Sequence, residues 1–236
     1  MKTSKILKLK FYYLINKNTI ISFIVYLVLI IFPLIIDILS IDKTKPDLEI
    51  KNEYLINSFL YIKIFSVFFN VYMYSSIVNF KNDFLVYLLI PLNVRKEKSI
   101  LISILLNILI FLFLYIIIFI AFSYLGLFIN NFYIDEDIII SFINIYFISL
   151  IFGLYSMILS QVFKESLSMV VMMAAFIASN NLMEYKDNVI IKICSLIIPF
   201  TDGSGLYLFG FYYLIILFIF LCVVNVVIYH FRDLNF

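Results

Sequence analysis

The sequence predicts an all-α integral membrane protein, and three observations carry that prediction. Of the 236 residues, 65% are hydrophobic and 14% are charged, with a mean hydropathy of +1.12, whereas soluble domains run at about 45–50% apolar and about 25% charged. The apolar residues fall in unbroken runs long enough to cross a bilayer, which takes about 20 residues of helix. Runs such as Ile108–Ile120 show no alternation of apolar and polar positions, which excludes the strands of a membrane barrel. A domain of this length cannot hide so much apolar surface from water. Soluble enzymes, nucleic-acid binders and disordered tails are excluded on that ground.

Six spans are expected, at about 19–40, 55–79, 100–129, 138–162, 167–182 and 207–230. The third exceeds a minimal span and is expected to tilt or to extend beyond the bilayer. Between the fifth and sixth lies Val189–Pro199, apolar but too short to cross, preceded by the polar stretch Asn180–Asn188. It reads as a re-entrant or interfacial segment on the outer side. Ahead of the first span, Lys2–Lys17 mixes lysines with Ile6, Leu7, Leu9, Phe11 and Tyr12. That pattern suits an amphipathic helix on the inner leaflet, and equally a simple topology signal. The run Thr19–Ile36 is too long for the core of a signal peptide and has no small-residue cleavage site after it, so it stands as the first span.

Orientation follows from the basic residues of the short loops. The N-terminus, the second loop, Lys164 and Arg232 hold eleven Lys and Arg, against five (Lys43, Lys45, Lys51, Lys186, Lys192) on the other side. Ten acidic residues lie on that second side and four on the first. Both termini are therefore expected in the cytoplasm of a multi-pass cell-membrane protein. Abundant Ile, Phe, Tyr, Asn and Lys beside scarce Ala and Gly fit an AT-rich genome, hence a low-GC bacterium. No internal repeat and no second domain interrupts residues 1–236, which read as one membrane domain.

The two cysteines, Cys194 and Cys222, form no CxxC spacing, and the lone His230 cannot build a metal site. No metal is expected. The five glycines are not placed to cradle phosphates and no GxxxxGK[ST] loop is present, so any ATP chemistry belongs to another chain. An intramembrane protease would need paired acids, histidines or an activated serine within spans, and the spans lack them.

The longest cytoplasmic connection, Asn79–Ser99, contains Phe84, Leu85, Leu88 and Leu92 at helical spacing after Asp83, a fitting N-cap. The run is too short to span, so it reads as an amphipathic helix at the inner surface, closed by Pro91 and a basic turn. It could rest in the headgroups or press its apolar face into a groove on another protein. The pattern Leu85-x-x-Leu88-Leu89-x-Pro91-Leu92-x-x-Arg95, after a second span and before a long third one, resembles the permeases of ABC-2 type exporters. The ending Val224–Phe236, the basic N-terminal helix and the broken segment before the last span are similar to that family too. The chain departs from the family in its Lys81-Asn82-Asp83 lead-in and in Ile102-Ser103, where Gly-Lys often opens the third span. The resemblance implies that Asp83, Phe84, Leu85, Leu88, Leu89, Pro91, Leu92 and Arg95 form a coupling helix docking on a separate ATPase subunit, which holds ATP and Mg. It also implies export of an amphipathic peptide or lipophilic compound, as in toxic-peptide export or lantibiotic immunity. Six spans are fewer than a full path usually employs, so a homo- or heterodimer of permeases is expected.

Lys63 is the one base well within a span, and it shares a helical face with Ser66 and Asn70, with Asn57 near the same stripe. A charge at mid-membrane costs about 2.5–3.5 kcal/mol on insertion scales, so it is paired, functional or snorkels to the headgroups. Asp37, near the outer end of the first span, is a geometrically plausible partner. Asn107, Asn144 and Asn225 are expected to make interhelical hydrogen bonds, and Ser156 with Ser160 a small packing face. Two other readings stay open: a non-transporting membrane scaffold that shares the docking helix, and a secondary transporter that uses Lys63 or Asp37.

Overall fold

The computed structural model describes residues 17–40, 45–77, 95–130, 132–182, 185, 187–199 and 210–231, with the side chains of 17 and 18 left aside. The expected N-terminal interfacial helix, the Asp83–Leu92 segment, the start of the sixth span before Gly210 and the C-terminal tail lie outside these residues. The described elements are helices: α1 (Lys17–Leu39), α2 (Asp47–Ile77), α3 (Lys96–Gly126), α4 (Glu136–Val162), α5 (Glu165–Leu182), the short α6 (Val189–Ser195) and α7 (Phe211–Phe231).

Five of them, α1, α2, α3, α4 and α7, are long and apolar enough to cross a membrane. The protein is thus all-helical in the described residues and consistent with a multi-pass membrane protein, but the expectation of six equivalent spans needs correction. The predicted fifth span is helix α5, whose 18 residues stand at the short end of what crosses a bilayer and whose polar ends keep it out of the long apolar set. Glu165 opens it and Asn180-Asn181 close it, so its apolar part is confined to 166–179. By contrast α2 begins earlier than expected: Asp47–Tyr54 is too polar to read as membrane helix, yet it continues the span, with Asp47 and Glu49 in the first turn, where carboxylates suit the helix dipole.

The contacts fix the direction of each helix. Tyr26 of α1 stacks on Phe69 of α2 at 4.4 Å between ring centres, and Tyr54 of α2 donates from its hydroxyl to the Phe122 carbonyl of α3 at 2.9 Å. Tyr115 of α3 donates to the Phe142 carbonyl of α4 at 2.8 Å, and Phe152 of α4 meets Phe176 of α5 edge-on at 5.3 Å. Each of these pairs runs antiparallel. Phe147 of α4 touches both Phe211 and Phe218 of α7, and Asn225 further along α7 donates to the Leu154 carbonyl at 3.2 Å, so α4 and α7 run parallel. The start of α1, the end of α2, the starts of α3 and α5 and the ends of α4 and α7 therefore gather at one end, called proximal here, where His230 of α7 bonds Glu97 of α3. The remaining ends are distal.

Helices α2 and α4 form the core. Of their most apolar windows 56% and 67% is buried, against 17% and 22% for α1 and α7, whose outward faces are apolar and suited to lipid. The α2–α4 seam is tight because α4 presents Ser149, Gly153 and Ser156 to it, all buried. Small residues let membrane helices approach closely, where no hydrophobic drive exists between them. Ser156 donates to the Val71 carbonyl at 2.9 Å. At the distal end Asp135 caps α4 by accepting from the Ile138 amide at 3.0 Å. Gly210, with φ of +81°, turns the chain into α7 through the left-handed region that glycine alone enters freely.

Candidate functional site

Two groups of polar side chains lie within the depth of the bundle. The first is the face predicted on α2. Lys63, Ser66 and Asn70 are all buried, at 2%, 0% and 1% exposure. Ser66 shares a 2.8 Å hydroxyl–hydroxyl hydrogen bond with Tyr26 of α1. Asn70 donates to the Ser66 carbonyl and, at 3.2 Å, to Ser149 of α4. This face thus ties α1 and α4 to α2, and a polar group so placed is satisfied by its neighbours rather than by water. Asp37 and Asn57 lie toward the distal end, lining a small cavity of about 60 Å³ with Ser40, Lys45, Glu53 and Tyr54, where Lys45 pairs with Glu53 at 2.7 Å.

The predicted asparagines divide. Asn225 makes the expected interhelical bonds, donating to Leu154 and accepting from Gln161 at 2.9 Å. Asn107 and the Asn144 side-chain oxygen are buried without a hydrogen-bond partner in the described structure. Arg95 immediately precedes α3 at the proximal end, extended and exposed. The other seven residues of the proposed docking helix, Asp83, Phe84, Leu85, Leu88, Leu89, Pro91 and Leu92, lie outside the described residues. Among the described residues no group of His, Cys, Asp and Glu could hold a metal ion.

The second group is one that the sequence reading missed. Helix α6 lies on the flank of the bundle, its end beside α4 and α7 with Leu196 and Ile197 still exposed. There Tyr155 of α4 donates its hydroxyl to the Ile197 carbonyl at 2.6 Å, and Tyr213 of α7 donates to the Leu196 carbonyl at 2.6 Å. The last carbonyls of any helix have no partner of their own, and in lipid such groups must find one within the protein. Asn188 caps the other end of α6, accepting from the Ile190 amide at 2.9 Å. The segment predicted as re-entrant or interfacial is thus a short helix, capped within its own first turn and bonded to α4 and α7 just past its end. The sequence carries no signal for this clamp, because its two tyrosines belong to different helices.

Charge also sorts by end. Arg95, Lys96, Lys98 and Lys164 sit at the proximal end, whereas Asp47, Glu49, Glu53, Asp135, Glu136 and Asp137 sit at the distal end with Lys45 and Lys51. Lys51 is drawn to Asp135 at 3.7 Å and lies over the Tyr133 ring. Proximally, burial pushes the Glu165 carboxyl above the ordinary carboxylate range. Compared with known proteins, the chain matches no family model, no curated protein and no solved structure.

Proposed function

We propose that this chain is the transmembrane subunit of an ATP-driven exporter of the ABC-2 permease type, working as a dimer with a separate ATPase. Its cargo is an amphipathic peptide or lipophilic compound moved out of the bacterial cell or its membrane. The observation that carries this reading is where the connection at 78–94 attaches. It leaves the end of α2 and enters α3 at the proximal end, beside the start of α1, the end of α7 and the basic residues Arg95, Lys96 and Lys98. An excess of Lys and Arg marks the cytoplasmic side, and their cluster at the two attachment points supports a cytoplasmic connection that meets an ATPase through the Leu85–Arg95 pattern. The two helices that it joins differ in role, since α2 belongs to the core and α3 flanks it; a push on this segment would reach both. The chain is not itself an ATPase in this reading, and the subunit that hydrolyses ATP holds the nucleotide and Mg.

The test is co-expression with a Walker-motif ATPase encoded beside it. The two are expected to copurify, and ATP hydrolysis in liposomes to rise when substrate is added. A chain that purifies without any ATPase, and that leaves hydrolysis unchanged, contradicts the reading.

A further inference from the structure

The seam between α3 and α4 opens into an apolar groove of about 370 Å³ in the distal half of the bundle. Its walls are Ile116 and Phe119 of α3 and Ile139, Ile143 and Phe147 of α4. The rim is open: Ile116 is 49% exposed and Ile139 43%. At its deep end Phe147 meets Phe211, the first residue of α7, edge-on at 5.5 Å. One helical stripe of α4 carries Glu136, Ile139, Ile143 and Phe147, so Glu136 stands directly distal to the groove with Asp137 beside it, both exposed. From Ile139 to Phe147 the groove runs about 12 Å along the helix.

Three acids open α4, two of them in its first turn, where they also suit the helix dipole. Asp135 already caps the first turn of α4 and takes the nearby lysine, Lys51. Glu136 and Asp137 add two carboxylates at the mouth of a slot that contributes no polar wall surface. Asp47 and Glu49 extend the same sign across the neighbouring start of α2. An apolar body below and negative charge above repel a phosphate headgroup and select its opposite.

We propose that this groove is a docking site for a cationic amphiphile, whose apolar body lies between α3 and α4 and whose cationic group pairs with Glu136 and Asp137. The inference rests on the reading of the chain as an exporter and names the charge class of its cargo. Binding to the purified chain alone tests it without the ATPase, so either idea can fail separately.

The chain has no tryptophan, so Ile116→Trp gives a single reporter in the groove wall. Phe220→Trp, on the lipid-facing side of α7 (60% exposed), reports simple partition into the bilayer. In phosphatidylcholine nanodiscs, a brominated dodecyl-trimethylammonium probe is expected to quench the groove reporter saturably at concentrations that leave the α7 reporter almost unchanged. Brominated dodecyl sulfate is expected to quench both weakly and alike. Adding Glu136→Gln and Asp137→Asn should weaken the cation's binding about fivefold or more. Equal quenching of both reporters, cation binding that survives the double substitution, or a groove reporter shielded by a second copy of the chain would each overturn the proposal.

Discussion

Replacing Gly153 by alanine is expected to lower the unfolding midpoint, and replacing it by isoleucine to abolish recovery of folded protein. A Cβ built on Gly153 would stand 2.6 Å from the Tyr74 ring and 3.2 Å from both Cβ and the carbonyl oxygen of Asn70. Tyr74 is fully buried and Asn70 is held to Ser149, so neither can swing away. Alanine in place of glycine gains about 1 kcal/mol of helix propensity, while overpacking a close-packed core costs about 1–3 kcal/mol. The clash wins, and the larger side chain at the same point forces α2 and α4 apart. Thermal unfolding in detergent reads the difference, with Leu109→Ala on the lipid-facing side of α3 as a control expected to change little. A higher midpoint for Gly153→Ala would mean that the α2–α4 seam is looser than described here.

Removing two hydroxyls, Tyr155→Phe and Tyr213→Phe together, is expected to release the end of α6. Each substitution keeps the ring and strips the donor from one carbonyl, Ile197 or Leu196. These carbonyls lie on the exposed flank of the bundle, where lipid offers no donor; an acceptor left there without its partner costs about 1–3 kcal/mol, and every 1.4 kcal/mol is about tenfold in an opening equilibrium. Hydrogen exchange at the Leu196–Ile198 amides, which close the last turns onto Ile193 and Cys194, should accelerate about tenfold or more in the double variant. Either single variant should give a smaller rise. Unchanged exchange would mean that water, not tyrosine, satisfies these carbonyls.

Where the sequence was legible, charge at helix ends made it so. Glu136 and Val162 bound α4 within two residues of expectation because Asp135 is both the last loop residue and its cap. The start of α2 was missed by eight residues, since a helix that protrudes into water carries Asp47, Glu49 and Glu53 without losing its hydrogen bonds. The span expected at 167–182 is weakened by its ends, since Glu165, Asn180 and Asn181 belong to the same 18-residue helix as its apolar run. Of the polar face, Ser66 and Asn70 could be placed from their spacing alone. Their partners Tyr26 and Ser149 could not, because those belong to other helices. The tyrosine clamp on α6 was invisible for the same reason: Tyr155 and Tyr213 are 58 positions apart, and only packing of α4, α6 and α7 brings them to adjacent carbonyls. The groove at the distal end likewise needs two helices to exist. Its acidic rim alone reads as an ordinary helix start.

The central claim is that the segment between α2 and α3 receives work from a separate motor on the cytoplasmic face. Single cysteines placed through 83–92, in a chain with Cys194 and Cys222 replaced by serine, test it most directly by cross-linking to the co-expressed ATPase. Capture is expected at positions 85, 88 and 92, with little at 87 and 90, which the helical spacing of the sequence sets apart from them, and an impermeant maleimide added outside intact cells should label none of them. Labelling from outside, or capture at none of the positions, would contradict the account.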